Sequence, residues 1–162
     1  MHTLFRFPDP VNEVSARLVA AGVILQCLAI LAGATWLTAV LAYGFVARVA
    51  TGPTLSPLGQ LVTRVVTPRL QVAARPVPGP PKRFAQGIGA TLSLTAAALH
   101  FGMGLTGPAL LVVGAILIAA SLEAGAGLCL GCRLFAVLVR LGVIPSRACA
   151  ACADLSPHTS AA

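Results

Sequence analysis

Four of the five cysteines in this 162-residue chain form two pairs with the same gap, Cys129-Leu130-Gly131-Cys132 and Cys149-Ala150-Ala151-Cys152. The overall spacing, C-x2-C-x16-C-x2-C, admits two kinds of chemistry. Two thiols three residues apart can close a disulfide and reopen it by exchange. Four thiolates at this spacing can instead hold a tetrahedral zinc ion. In both cases the thiolate is the reacting species, so nearby charge matters. Arg133 adjoins the first pair and can lower a thiol pKa. Glu123 lies six residues before Cys129 in an otherwise apolar stretch. A desolvated carboxyl there can pass protons to a thiolate. The plainer alternative for Glu123 is an anchor paired with a neighbouring Arg. Cys149 and Cys152 follow Pro145 in a polar tail expected to be mobile. That tail can approach the first pair to resolve a disulfide, pass on sulfur or complete a metal site.

Other candidates have simpler explanations. Cys27 sits within an apolar run and reads as packing. His100 has no acidic neighbour and is expected to be satisfied by a hydrogen bond. Gly87-Ile88-Gly89 resembles a fragment of a nucleotide loop, but within an apolar helix Gly87, with Ala90 or Thr91, serves close helix packing. A Ser-His-Asp set, a phosphate loop and paired carboxylates for hydrolysis are absent from the sequence.

The elements that must position the thiols follow from composition. The chain is 57% hydrophobic and 9% charged, against about 25% charged in soluble domains. Too few polar groups remain to coat a water-facing surface, so a lipid bilayer is the expected surrounding. The net charge of +7 could suggest nucleic acid. One Trp and one Tyr make no stacking platform, and basic residues flanking apolar runs are the ordinary mark of cytoplasmic loops. Nucleic-acid binding is therefore not expected. Asp9 and Glu13 precede the first apolar run, which argues against a cleaved signal peptide.

Leu18 to Ala47 gives 30 uncharged residues, about 45 Å as one helix at ~1.5 Å per residue. A hydrocarbon core of ~30 Å needs less, so the run must fold back, with Gly33-Ala34-Thr35 as the turn. Phe84 to Leu122 gives 39 residues without an acid or base and must fold back too, at Gly102–Pro108. The expected fold is all-α: an integral membrane domain, 1–147, of about four transmembrane helices in two hairpins. The spans are placed at about 14–32, 36–51, 84–103 and 108–127. All eleven Lys and Arg then fall on one side, and both termini are cytoplasmic. A single long first helix would carry the basic central loop outside.

The segment 128–144 contains Arg133 and Arg140 among apolar residues. Burying both at mid-bilayer would cost about as much as the apolar residues return, so a helix at about 130–144 is expected to lie at the interface. A second interfacial amphipathic helix is expected at about 57–66. It is capped by Ser56-Pro57, with Leu58, Leu61, Val62, Val65 and Val66 along one face. Asp9-Pro10 reads as a cap of the first helix, Arg75 to Pro81 as a stiff extended linker, and no segment reads as a strand. Residues 148–162 form a cytoplasmic tail.

The stretches FPDPVNEVSARLVA, GPTLSPLGQL, PPKRFAQGIGA and LEAGAGLCLGCRLF resemble a bacterial integral-membrane family, domain of unknown function 4395, over about residues 5–155. The resemblance implies a compact helical protein of the bacterial inner membrane and implies no established reaction. Three functions compete. The leading one is a thiol-disulfide or sulfur relay through Cys129 and Cys132 with a thioredoxin-like or rhodanese-like partner. Cys149 and Cys152 would resolve it, and Glu123 would move protons. The second is a structural zinc site of Cys129, Cys132, Cys149 and Cys152. The third is a small transporter or carrier subunit. No other cofactor is implied.

Overall fold

The computed structural model describes residues 7–70 and 72–144. The Cys149–Cys152 pair and the tail 148–162 lie outside the described residues. The described chain is all-α apart from one two-residue ladder. In order it contains β1 (Val11–Asn12), α1 (Glu13–Leu31), α2 (Leu37–Thr51), α3 (Pro57–Leu61), a π-helical turn (Val62–Val66) and α4 (Thr67–Arg69). Then follow β2 (Pro76–Val77), α5 (Gly79–Ala97), a second π-helical turn (Ala98–Gly102), α6 (Thr106–Ala126) and α7 (Leu130–Arg140).

The four long helices occupy nearly the segments expected of them. α1 packs along α6, α2 along α5, and α5 joins the two pairs by also packing on α6. Their shared core is made of Val23, Cys27 and Ile30 from α1, Leu41 and Phe45 from α2, Ala90 and Ala96 from α5, and Val113, Ile116 and Ala120 from α6. Cys27 is fully buried there, as packing requires. Glu13–Leu31 and Thr106–Ala126 are each long and apolar enough to cross a membrane. Large apolar side chains also face outward, with Leu111 78% and Leu25 70% exposed.

Several local expectations need correction. Asp9 does not cap α1. Asn12 does, accepting from Val14 N–H at 3.1 Å. The Asp9 carboxylate instead accepts from Gly79 N–H at 3.0 Å, at the start of α5. The expected linker is partly ordered structure: Val77 and Pro76 pair antiparallel with Val11 and Asn12, and α5 begins at Gly79 with Pro in its first turn. Pro is tolerated there because the first N–H groups of a helix have no intrahelical partner. Pairing of distant segments of two residues each leaves no periodic signal for a strand. The close helix packing falls at Gly89, where a Cβ would collide with the Phe45 ring; Gly87 faces open space.

Ser56 caps the helix at Pro57 as expected, accepting from Gly59 N–H at 3.2 Å. Its expected apolar face is divided. Val62 is buried and Leu58 presses against Gly22 of α1, while Leu61 points outward. The tight Leu58–Gly22 contact, together with the π-helical turn, rotates the segment away from one uniform face.

Candidate functional site

The up-and-down path brings the start of α1, the end of α2, the start of α5, the end of α6 and the start of α7 to one end of the bundle. The candidate residues collect there. α6 stops at Gly127, whose left-handed φ of 67° closes the helix against the Glu123 and Leu122 carbonyls. Arg17 closes the same end from α1, donating to Ala124 O at 3.0 Å and Gly125 O at 2.7 Å. A cation at a helix C-terminus also meets the negative end of the macrodipole.

The chain then turns, and Cys129 becomes the N-cap of α7 in an extended conformation, φ −82° and ψ 104°. Cys132 is the third residue of that helix. The fourth span is expected to end at about 127 and a separate helix to begin at about 130. The break at Gly127 starts that new helix at the pair. The first sulfur then stands at the positive dipole end of a helix. Gly131 permits this placement. A Cβ on it would meet Ala85 at 2.5 Å, so α7 can lie this close to α5 only with Gly between the cysteines. Phe84 and Phe135 pack beside the contact, with ring centroids 5.5 Å apart.

Both thiols are free. Cys129 is buried and Cys132 half-buried. The Cys132 thiol donates to the Cys129 sulfur, and this bond lowers the Cys129 pKa to about 7 from 9.0. Burial and the Glu123 carboxylate act against it, while the Cys132 N–H and Lys82 support it. The same bond, with burial, pushes the Cys132 pKa upward. The pair is therefore asymmetric: its surroundings favour the thiolate at Cys129 and the thiol at the half-buried Cys132.

The cation beside the pair is Lys82, not Arg133, which is exposed on α7. Glu123 likewise pairs with Lys82 at 2.7 Å rather than with an Arg, and both side chains are largely enclosed. Burial disfavours the Lys82 ammonium, but the Glu123 charge and hydrogen bond outweigh it and hold its pKa above the ordinary value. Glu123 thus stands paired with Lys82, within electrostatic reach of both thiols. Lys82 had a sequence signal: it opens one apolar run as Glu123 closes the next, so an antiparallel hairpin must bring them level.

Arg48 was not among the expected site residues. It is buried near the end of α2. Its Nε donates to Gln86 Oε1 at 2.9 Å and its Nη1 to Ser56 Oγ at 3.1 Å. Its guanidinium lies 4.5 Å from the Phe45 ring centre. Nη2 is buried without a partner among the described residues. Arg48 lines an apolar cavity of about 320 Å³ whose wall also includes Glu123 and Cys129. A second cavity of about 210 Å³ adjoins it across Arg48 and Gln86.

Among the described residues no three His, Cys, Asp or Glu side chains group as metal ligands. The zinc expectation needs Cys149 and Cys152, which lie outside them. His100 is far from the thiols in sequence and fold, at the opposite end of the bundle, where its Nδ1 lies 3.2 Å from Thr106 Oγ1.

A family model described as Domain of unknown function (DUF4395) matches residues 11–140, and the chain belongs to that family. No curated protein and no solved structure matches it.

Proposed function

We propose that this member of the DUF4395 family is a multi-pass membrane protein carrying a reactive dithiol at one face of the bilayer. The observation that carries the reading is the position of Cys129-Leu130-Gly131-Cys132 at the start of α7. There one thiol hydrogen-bonds the other and Lys82 stands beside them. Such a pair can exchange electrons with a soluble dithiol protein, of thioredoxin-like or rhodanese-like kind. The apolar outer surface of α1 and α6 supports a bilayer setting. The gathering of Arg17, Lys82, Arg83, Arg133 and Arg140 at the dithiol end supports a cytoplasmic orientation in a bacterial inner membrane.

The asymmetry of the pair gives the order of events. When Cys129 and Cys132 are joined as a disulfide, a partner thiolate attacks the accessible sulfur, Cys132. The S–S bond breaks and Cys129 leaves as a thiolate, which its low pKa favours. A second partner thiol then attacks the mixed disulfide. The partner leaves oxidised and the protein holds two thiols. The reverse sequence reduces a partner disulfide. Lys82 stabilises the departing thiolate, and the Glu123 carboxylate fixes Lys82 at 2.7 Å.

The test is trapping. Membranes carrying Cys129→Ser are alkylated and resolved by non-reducing electrophoresis. A covalent adduct held through Cys132 is expected, and none in Cys129→Ser/Cys132→Ser. Absence of any adduct, with both thiols unreactive toward a soluble dithiol protein, would overturn the proposal.

A further inference from the structure

The dithiol has a second face. Cys132 is half-buried and does not line the 320 Å³ cavity, whereas Cys129 is buried and does. That volume lies at the lower end of small-molecule pockets, about 300–1,000 Å³. Its walls are mainly apolar, with Val23, Phe45 and Ile116 among them, and they also carry Gln86 and the Glu123 carboxylate. Exposed residues also line it: Ala115 on α6, and Leu130 and Leu134 on α7, the last two about half exposed. The mouth is therefore apolar and belongs to a ligand arriving through lipid rather than through water. Within the walls, Arg48 presents a charged donor group. Its bonded neighbours Gln86 and Ser56 are neutral, and its Nη2 has no partner among the described residues. A buried donor left unmade is costly, so such groups mark places where an acceptor belongs.

We infer that the cavity binds the ring of a membrane-dissolved quinone, with a carbonyl oxygen accepting from Arg48 and the ring beside Cys129. The inference rests on the dithiol reading above and supplies the electron acceptor that reading lacks. The overall step balances. Cys129 and Cys132 together lose two electrons and two protons and form one S–S bond. The quinone gains the same two electrons and two protons and becomes the quinol. Negative charge grows on the quinone oxygen as electrons arrive, and Arg48 is placed to stabilise it in a low-dielectric setting. The two sulfurs thus divide the work: Cys132 meets the soluble partner and Cys129 meets the quinone.

The experiment uses the full chain in lipid nanodiscs, reduced and freed of reductant, with a short-chain ubiquinone analogue as probe. Quinol formation and remaining free thiols are followed together, and exchange with a soluble dithiol protein is measured in parallel. One quinol should form for each disulfide closed. Arg48→Gln should raise the half-saturating quinone concentration about tenfold or more, the scale of a lost charged hydrogen bond, and Arg48→Lys should recover part of it. Should Arg48→Gln fail to fold, Ala115→Phe at the exposed mouth should raise the same concentration by obstruction. Normal partner exchange with no quinol would overturn the quinone site and leave the dithiol reading standing. Neither exchange nor quinol would overturn both. Quinol formed with unchanged half-saturation in Arg48→Gln and Ala115→Phe would show that quinone reacts elsewhere and overturn the inference.

Discussion

The two ends of the helical bundle are made of the same helices and hold different things. At one end the turns 32–36 and 103–105 contain no charged residue, and the main side-chain contact is His100 with Thr106. At the other end Arg17 closes the last carbonyls of α6, Arg48 bridges Gln86 and Ser56, Lys82 meets Glu123, and the free thiols of Cys129 and Cys132 lie together. With 9% charged residues the chain has few such groups to place. Nearly every one near the thiols is held by a specific partner. The contrast shows how an apolar bundle builds a polar site. It uses helix termini, whose unmet N–H and C=O groups are already polar, and ties Arg17 to one of them, Lys82 to an opposite charge and Arg48 to neutral side chains.

The largest effect that would sharpen this contrast concerns the cysteines. Cys129→Ser should retain a partner through the accessible Cys132, whereas Cys132→Ser leaves only a buried sulfur and should retain far less. Non-reducing electrophoresis of alkylated membranes separates the two, and the opposite order would break the assignment of roles. Next is Lys82→Met, which leaves the Glu123 carboxylate enclosed and unpaired. Breaking a buried pair this way costs about 3–5 kcal/mol, read as a lowered Tm. Loss of the cation and the unpaired carboxylate both disfavour the thiolate, so the pH midpoint of Cys129 alkylation should move upward. Glu123→Gln removes a charge that opposes the thiolate, so that midpoint should move downward.

A smaller effect is expected for Gly131→Ala, since the added methyl must push α7 away from Ala85. Overpacking of this kind costs about 1–3 kcal/mol, and Cys132 alkylation should quicken as the helix shifts. The smallest effect belongs to the bare end. His100→Gln removes one hydrogen bond worth about 1 kcal/mol and should leave thiol alkylation rates unchanged. A change at the thiols would mean the two ends are coupled.

Much of this layout could be read from the sequence. Unbroken uncharged runs too long for one helix gave the two hairpins, because length against rise per residue is a geometric constraint. Cys129, Cys132 and Glu123 were visible as rare residue types at one end of an apolar run. Their partners are less plain. Lys82 reads as a charge at the border of the third span, and only the antiparallel hairpin, which sets it level with Glu123, points to their pairing. Arg48 looked like a loop border because its hydrogen-bond partners, Ser56 and Gln86, come from other segments. The N-cap position of Cys129 depended on Gly127 adopting a left-handed φ. The sequence placed the end of the span at about 127 but carried no sign that Cys129 would cap the next helix. The ranking of the two thiols depends on their different surroundings, Cys129 at the N-cap of α7 and Cys132 within its first turn.

The central claim is that Cys129 at the start of α7 is the thiolate of the pair. It is tested most directly by alkylating the reduced wild-type protein with iodoacetamide across a pH series and quantifying each cysteine by peptide mass spectrometry. Cys129 labelling should reach half its maximal rate near pH 7, while Cys132 labelling stays low over the same range. A Cys129 profile centred near 9, the ordinary thiol value, or one in which Cys132 ionises first, would contradict the account.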